Sequence, residues 1–368
     1  MKKYRLLEDV CEILDSQRIP ITASERKAGG YPYYGANGIQ DYVDNYIFDD
    51  DLVLLAEDGG NFGSRDKPIA YRVSGKCWVN NHAHVLKPKS TINVDYLCYT
   101  LMFYDTTGLV NGATRQKLTQ SAMRQMKIPF VKMDVQNKIV KKINLVVDLI
   151  GKRKKQLEKL DELVKSRFIE MFGGIHDSKM YPYKTVKELT EVISGGTPSR
   201  DVSEYWEEGT IPWVKTTELH NNVVTKVEEY ITEKGLNNSS AKIVPVGTVL
   251  VAMYGQGKTR GMTAYLEIKA CTNQACACIL PSDKINQKFL WYFFILSYDN
   301  LRDLAKGGNQ PNLNGNMIKT YPILYPPIEL QNQFAAFVKQ VDKSKFEIKQ
   351  SLEKLELLKK SLMQKYFG

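Results

Sequence analysis

Residues 136–173 read QNKIVKKINLVVDLIGKRKKQLEKLDELVKSRFIEMFG, and residues 331–368 read QNQFAAFVKQVDKSKFEIKQSLEKLELLKKSLMQKYFG. Extended upstream, 128–173 and 323–368 align without a gap at an offset of 195, sharing 14 identities in 46 positions. Ordinary composition gives roughly 3. The pairs include Ile128/Ile323, Gln136/Gln331, Asn137/Asn332, Phe172/Phe367 and Gly173/Gly368. Similarity at a fixed offset marks a tandem duplication. Weaker matches continue upstream: Tyr4-Arg-Leu-Leu-Glu-Asp-Val with Tyr183-Lys-Thr-Val-Lys-Glu-Leu, and Asn81-His-Ala-His with Asn273-Gln-Ala-Cys. The chain thus divides into a globule (1–132), a helix (133–173), a second globule (174–327) and a second helix (328–368). The offset falls to 179 at Tyr4/Tyr183, so the first globule is the shorter, and whether it has lost a peripheral strand or loop is left open by the sequence.

The repeated segments carry apolar residues at alternating spacings of four and three. Ile139, Ile143, Val146, Ile150, Leu157, Leu160 and Val164 mark the first seam, interrupted by Arg153 and continued by Arg167 and Met171. Phe334, Val338, Val341, Ile348, Leu352, Leu355 and Leu362 mark the second, interrupted by Lys345 and Lys359. This is a coiled-coil pattern. The 37 residues from 136 to 172 span ~55 Å as a helix, and Gly173 is placed to end it. A stripe of that length needs a partner, and the other copy supplies one. The expected fold is α+β: two mixed α/β globules with a pair of long antiparallel helices and an internal pseudo-twofold.

Composition bounds the function. The 368 residues include 51 Lys or Arg against 41 Asp or Glu, a net charge of +10, and are 43% hydrophobic. Of that charge, +8 lies on the two helices, including Lys152-Arg-Lys-Lys. Such a surplus favours a polyanionic partner or an acidic subunit. No run of ~18 apolar residues is present to cross a membrane, and the amino-terminal segment has no apolar core of a secretory signal. The expected location is the cytoplasm, where six scattered cysteines stay reduced. The four histidines offer no metal-ligand spacing beyond His82-x-His84, so no metal site is expected.

Within the globules, Leu52-Val-Leu-Leu-Ala and Thr248-Val-Leu-Val-Ala-Met read as buried strands. Glycine-rich loops follow them, Glu57 to Arg65 and Tyr254 to Gly261, of the kind that lets backbone approach a phosphate. Loops rich in Arg, Lys, Asn, Gln and Tyr carry the side chains that read base edges or grip phosphates. In the first globule these are Arg26, Lys27, Tyr33, Tyr34, Asn37, Asn61, Arg65, Asn81, His82, Arg115 and Lys117. In the second they are Arg200, Lys215, Thr217, Tyr254, Gln256, Lys258, Arg260, Asn273, Gln274, Asn309, Gln310 and Asn312.

The Ser194-Gly-Gly-Thr-Pro-Ser-Arg turn, Ile211-Pro-Trp-Val after Tyr205-Trp206, the stretch YPYYGANGIQDYV from Tyr31, the Gln-Asn start of both helices and the duplicated strand–helix unit occur in an order that resembles the specificity subunit of type I restriction–modification enzymes. The resemblance covers the whole chain. It implies two target-recognition domains, each reading one half of a bipartite double-stranded DNA sequence. It implies conserved helices that space the domains and dock two methyltransferase subunits, with motor-nuclease subunits joining for restriction. It also implies that this chain does no chemistry, so that S-adenosylmethionine, ATP and Mg belong to the partners.

Other readings are weaker. Gly255-Gln-Gly-Lys-Thr259 looks like the end of a phosphate-binding loop, but Ala252 stands where that motif needs glycine. The only Pro-Pro pair is in Tyr325-Pro-Pro-Ile, which is not a base-methylating motif. A stand-alone bivalent DNA-binding protein, such as a repressor, is the serious alternative.

Overall fold

A computed structural model describes residues 3–112, 115–255, 257–305 and 312–368. It divides into two units, residues 1–154 with 349–368 and residues 155–348. Each long helix contributes a segment to both.

In the first unit, a four-stranded antiparallel sheet runs in the order Cys11–Ile13, Ala83–Pro88, Leu52–Ala56, Ala70–Val73. The strand Leu52–Ala56 is buried on both faces, which is why its sequence is a continuous apolar run. Val53 and Leu55 face a core built with the helix Val94–Met102, while Leu52 and Leu54 face Phe48, Cys77 and Val79. The second face is covered by a sheet ordered Gly38–Val43, Ala28–Gly35, Lys76–Val79, Phe48–Asp49.

The second unit repeats this plan. The strand Val249–Ala252 again splits between two cores, with Val249 and Val251 on one side and Leu250 and Ala252 on the other. Its sheet runs Val192–Ser194, Cys276–Ile279, Val249–Ala252, Thr263–Leu266, Asn222–Val224. The first four strands match the first unit's four in order. The fifth pairs in parallel with Thr263–Leu266, and the first unit's sheet has no counterpart among the described residues. This extra edge strand accounts for part of the second globule's greater length.

The helices start at a clasp present in both units. Asn93 caps Val94–Met102 by accepting from the amides of Asp95 and Tyr96. The Asn93 amide in turn donates to Gln136 Oε1 (2.8 Å), and Gln136 Nε2 donates to the carbonyls of Val131 (2.8 Å) and Thr91 (3.2 Å). Asn93 Nδ2 also donates to Asn137 Oδ1 at 3.0 Å. In the second unit Asn286, Gln331 and Asn332 repeat these contacts apart from the one to the Thr91 carbonyl, with Gln331 Nε2 reaching the Pro326 carbonyl at 2.7 Å. Both glutamines are fully buried. A buried amide with every group paired fixes the helix on its globule, and this is why Gln-Asn recurs across the duplication.

The central helix spans Met133–Phe172 and the C-terminal helix Ile328–Phe367. In the first unit Lys154 Nζ lies 3.5 Å from Glu356, and Ile139, Val140, Ile143 and Val147 share a core with Leu362, Met363, Tyr366 and Phe367. In the second, Lys345 donates to Asp161 at 2.5 Å, and Val164, Phe168 and Phe172 share a core with Val341, Val338 and Phe334. Rising numbers on one helix meet falling numbers on the other in each unit, so the pair is antiparallel in both. Ile139, Ile143, Val146, Ile150, Val164, Phe334, Val338 and Val341 are buried, whereas Leu157, Leu160, Ile348, Leu352, Leu355 and Leu362 are half-buried.

The expected seam needs one correction. Arg167 does not line it; its guanidinium pairs with Glu170 at 2.8 Å near the surface, and Phe168 and Phe172 turn inward instead. Strict 3.5-residue spacing drifts against the 3.6-residue helix, and here the stripe has moved one residue on. Gly173, with φ +79°, closes the helix through its amide to the Ile169 carbonyl.

All six cysteines are buried free thiols, and burial pushes Cys11, Cys77 and Cys98 up to about 12. Among the described residues, no helix is long and apolar enough to cross a membrane.

Candidate nucleic-acid interface

In the first unit, the loop after the buried strand Leu52–Ala56 meets three others. The Glu57 and Asp58 amides donate to the His82 carbonyl, and Leu118 donates to the Glu57 carbonyl. Side chains tie the same loops. Asp58 accepts from Arg115 (2.9 Å) and contacts His82 Nδ1 (2.6 Å), and Glu57 pairs with Lys117 at 3.1 Å. Asn37 Nδ2 donates to the Gly59 carbonyl, and Asn61 Nδ2 donates to Asn37 Oδ1 and to the Pro68 carbonyl. Asn37, Asn61, His82, Arg115 and Lys117, which lie far apart in sequence, therefore converge at one end of one sheet.

Beneath them lies a cluster that sequence reading missed. Arg18 donates to Glu57 (2.6 Å), to the Ala83 carbonyl (2.8 Å) and to the Asp15 carbonyl (3.0 Å). Buried His84 contacts Asp15 at 2.6 Å through Nδ1 and the Leu118 carbonyl at 2.9 Å through Nε2. Asp15, Glu57 and His84 present ligand atoms within 4.8 Å of one another, but the Arg18 guanidinium already supplies the positive charge there. Burial alone raises the Asp15 carboxyl, yet hydrogen bonds from His84, Gln120 and the Val85 amide bring it below its ordinary value. The signal for Arg18 was absent because a lone arginine in a polar turn has no pattern.

Arg26 and Tyr33 need correction. Tyr33 is buried, at 1% exposure, so its ring packs rather than stacks on a base. Arg26 lies 4.3 Å over that ring and donates to Asp41. Arg200 sits at the matching place in the second unit, over Trp213 at 4.9 Å and Trp206 at 3.6 Å, and bonded to Glu229 at 2.6 Å. Tyr33 pairs across its sheet with Asp41, and Trp213 with Glu229. An arginine held between an aromatic face and the acid opposite is thus part of the duplicated architecture and braces a loop. Tyr34 is half-buried against Tyr71, whereas Lys27, Arg65 and Asn81 are exposed.

In the second unit, Lys215 bridges Glu228 and Glu229 at 2.8 Å each, and these hydrogen bonds raise its pKa. Asn273 Nδ2 reaches Thr216 Oγ1 at 3.4 Å, and Gln274 bonds Thr197. Arg200, Lys215, Asn273 and Gln274 therefore gather at the ends of the strands Ile211–Val214 and Cys271–Thr272, with Thr217 exposed beside them. Tyr254 and Lys258 are exposed and Arg260 is half-buried on a loop held by Tyr298, which donates to the Lys258 carbonyl. Asn312 is exposed; Gln256, Asn309 and Gln310 fall outside the described residues.

A model of the type I restriction modification DNA specificity domain matches residues 2–160 and 179–359, nearly the whole chain and one match per repeat. The chain belongs to this family. Among its relatives, a putative type I restriction enzyme specificity subunit of Haemophilus influenzae is 26% identical over 91% of this chain and 86% of its own. The MjaIX specificity subunit of Methanocaldococcus jannaschii is 31% identical over 51% of this chain and 44% of its own. The crystal structure of the S subunit from M. genitalium superposes with a TM-score of 0.64 at 14% identity, covering 100% of this chain and 96% of that one. A chain from a structure of type I system assembly gives 0.57 at 16%, covering 99% and 97%. At these identities the structures speak for the fold, and the family match for the role: this specificity subunit confers DNA sequence specificity in a type I restriction–modification system. The convergent loops are the specificity subunit's candidate reading surfaces.

Proposed function

We propose that each unit reads one half of a bipartite double-stranded DNA sequence, and that the subunit does no chemistry itself. The observation that carries this is the convergence, in each unit, of side chains distant in sequence at strand ends, with different side chains in each: at one end of the buried-strand sheet in the first unit, and at the ends of Ile211–Val214 and Cys271–Thr272 in the second. Asn37, His82 and Arg115 in one and Lys215, Asn273 and Gln274 in the other offer different donor and acceptor sets, and so would read different words. Exposed Lys27, Arg65 and Lys258 would grip phosphates, giving affinity without sequence. Arg115 and Lys117 are exposed although paired with carboxylates. Such pairs are worth about 0–1 kcal/mol, so a phosphate can displace the acid.

The long helices would seat two methyltransferase subunits, one per unit. Each unit's helix segments present large apolar side chains to solvent: Leu145 and Leu357 at 61% and 69% exposure in the first, Leu163 and Phe346 at 46% and 61% in the second. Exposed apolar surface of this kind marks a contact with another protein. S-adenosylmethionine would bind on those partners, and ATP and Mg on motor-nuclease subunits. The helices would also fix the unread gap between the two words, with ~55 Å, or roughly 16 base pairs, as its upper bound.

Single-molecule sequencing of DNA from cells expressing the subunit with its methyltransferase tests this. A split, asymmetric methylated motif is expected. A contiguous or palindromic motif overturns it.

A further inference from the structure

The Ser194-Gly-Gly-Thr-Pro-Ser-Arg turn, conspicuous in the sequence, has a task in the second unit. Two glycines let it press onto the turn after the strand Cys271–Thr272. A Cβ on Gly195 would strike the carbonyls of Thr272 and Asn273, and one on Gly196 the backbone at Ser240 and Ala241. The Gly196 amide donates to the Thr272 carbonyl at 2.8 Å, and its carbonyl accepts from the buried Trp213 indole at 2.9 Å. Buried Pro198 follows and holds Thr197 extended. The turn thereby sets the Thr197 hydroxyl against Gln274, where it donates to Oε1.

Gln274 stands at the tip of a stiff turn. The Asn273 amide donates to the Val214 carbonyl (3.1 Å), the Ala275 carbonyl accepts from Met253 (2.8 Å) and the Cys276 amide donates to the Asn273 carbonyl (3.1 Å). The Gln274 side chain itself is exposed. With Oε1 turned to Thr197, the group left to face outward is Nε2 with its two hydrogens. The duplication places His82 at this position in the first unit, Asn81-His-Ala-His matching Asn273-Gln-Ala-Cys. His82 is likewise held from a neighbouring loop, through Asp58. A side chain oriented by a partner on another loop is thus kept in both units while its chemistry changes.

We propose that Gln274 is a specificity-determining residue that reads a guanine in the major groove, and that Thr197 is the positioning residue that restricts it to guanine. This rests on the reading of one half-sequence by each unit. An amide free at both atoms pairs with adenine, donating to N7 and accepting from N6. An amide whose oxygen is held offers donors only. Guanine presents two acceptors side by side, O6 and N7, whereas adenine sets a donor beside N7 and cytosine offers a donor. A side chain with donors only therefore favours G·C over A·T at its base pair and fixes which strand carries the guanine.

Single-molecule methylation maps of DNA from cells expressing the full chain with its methyltransferase test this. Gln274→Ala should relax one base pair of one half-sequence, at which the parent requires G·C, lowering discrimination there roughly tenfold or more. Thr197→Val frees the amide and should admit A·T at that same pair. Gln274→Glu keeps the shape but only accepts, and should favour cytosine on the strand that carried guanine. Gln274 is exposed and Thr197 half-buried, and an unchanged other half-sequence in each map reports an intact fold. A contiguous parent motif removes the reading beneath the proposal, and the proposal with it. A split motif that Gln274→Ala leaves untouched, a relaxed pair that is A·T in the parent, or a Thr197→Val map identical to the parent's overturns the proposal alone.

Discussion

At the scale of single residues, Arg18 decides whether the first unit's loops hold their places. Its side chain is 13% exposed and faces Glu57 at 13% and Asp15 at 4%. Removing the cation takes from Glu57 the less exposed of its two cationic partners, Lys117 remaining at 3.1 Å, and takes the donor from the Ala83 and Asp15 carbonyls. Breaking a buried pair costs about 3–5 kcal/mol, and Arg18→Met should lose that much in denaturant unfolding, whereas Lys27→Ala, on an exposed side chain, should lose almost nothing. Asp15 adds a pH dependence. Its carboxyl sits below the ordinary 3.8 because the hydrogen bonds outweigh burial. A group depressed in the folded state stabilises above its unfolded pKa and loses that contribution as pH falls through the folded value. Stability should therefore hold down to about pH 4 and decline beneath it. Asp15→Asn should be less stable at neutral pH and show a shallower acid decline, read from melting temperature against pH.

At the scale of elements, the helices were legible in the sequence, and the convergence of the candidate reading loops only in part. A 3.5-residue stripe is periodic, so Ile139, Ile143, Val338 and Val341 could be placed in a core from spacing alone. The inward turn of Phe168 and Phe172 could not, because a one-residue drift depends on what faces the helix. Loop composition located Asn37, His82 and Arg115, yet gave no means of distinguishing buried Tyr33 from a stacking tyrosine. That distinction depends on strand register, where one step moves a side chain to the other face. The Gln-Asn repeat was visible as identity, but its clasp was not. Gln136→Leu should show the clasp's worth. It strips the partner from the Asn93 amide and the donor from two carbonyls, and unpaired buried groups cost about 1–3 kcal/mol each. A loss of about 2–4 kcal/mol is expected, and a smaller one for Gln331→Leu, whose side chain serves one carbonyl. At the seam, Phe168→Ala should cost about 3–5 kcal/mol, since that ring packs on Phe172, Phe289, Phe293 and Phe334. Leu163→Ala, on the exposed face, should leave stability nearly unchanged and instead weaken methyltransferase binding.

At the scale of the whole molecule, duplication divides the work. The helices stay alike because each must keep the same clasp and the same antiparallel partner. The loops are free to diverge because they carry neither the clasp nor the helix seam, which suits the reading of a different DNA word by each unit that we propose. If the helices set the gap, as we propose, that gap follows helix length and not loop sequence. Lys154 and Glu356 face each other within the first unit, so insertions beside each preserve the pairing on either side. Four residues added to each helix lengthen it by ~6 Å, close to two base pairs at ~3.4 Å each. A four-residue insertion is also the stutter that coiled coils absorb by local unwinding, so the seam should re-form. The methylation map of this variant should keep both half-sequences and widen the unread gap by about two base pairs. Retained half-sequences with an unchanged gap would remove the helices as the spacer, while leaving the two reading surfaces intact.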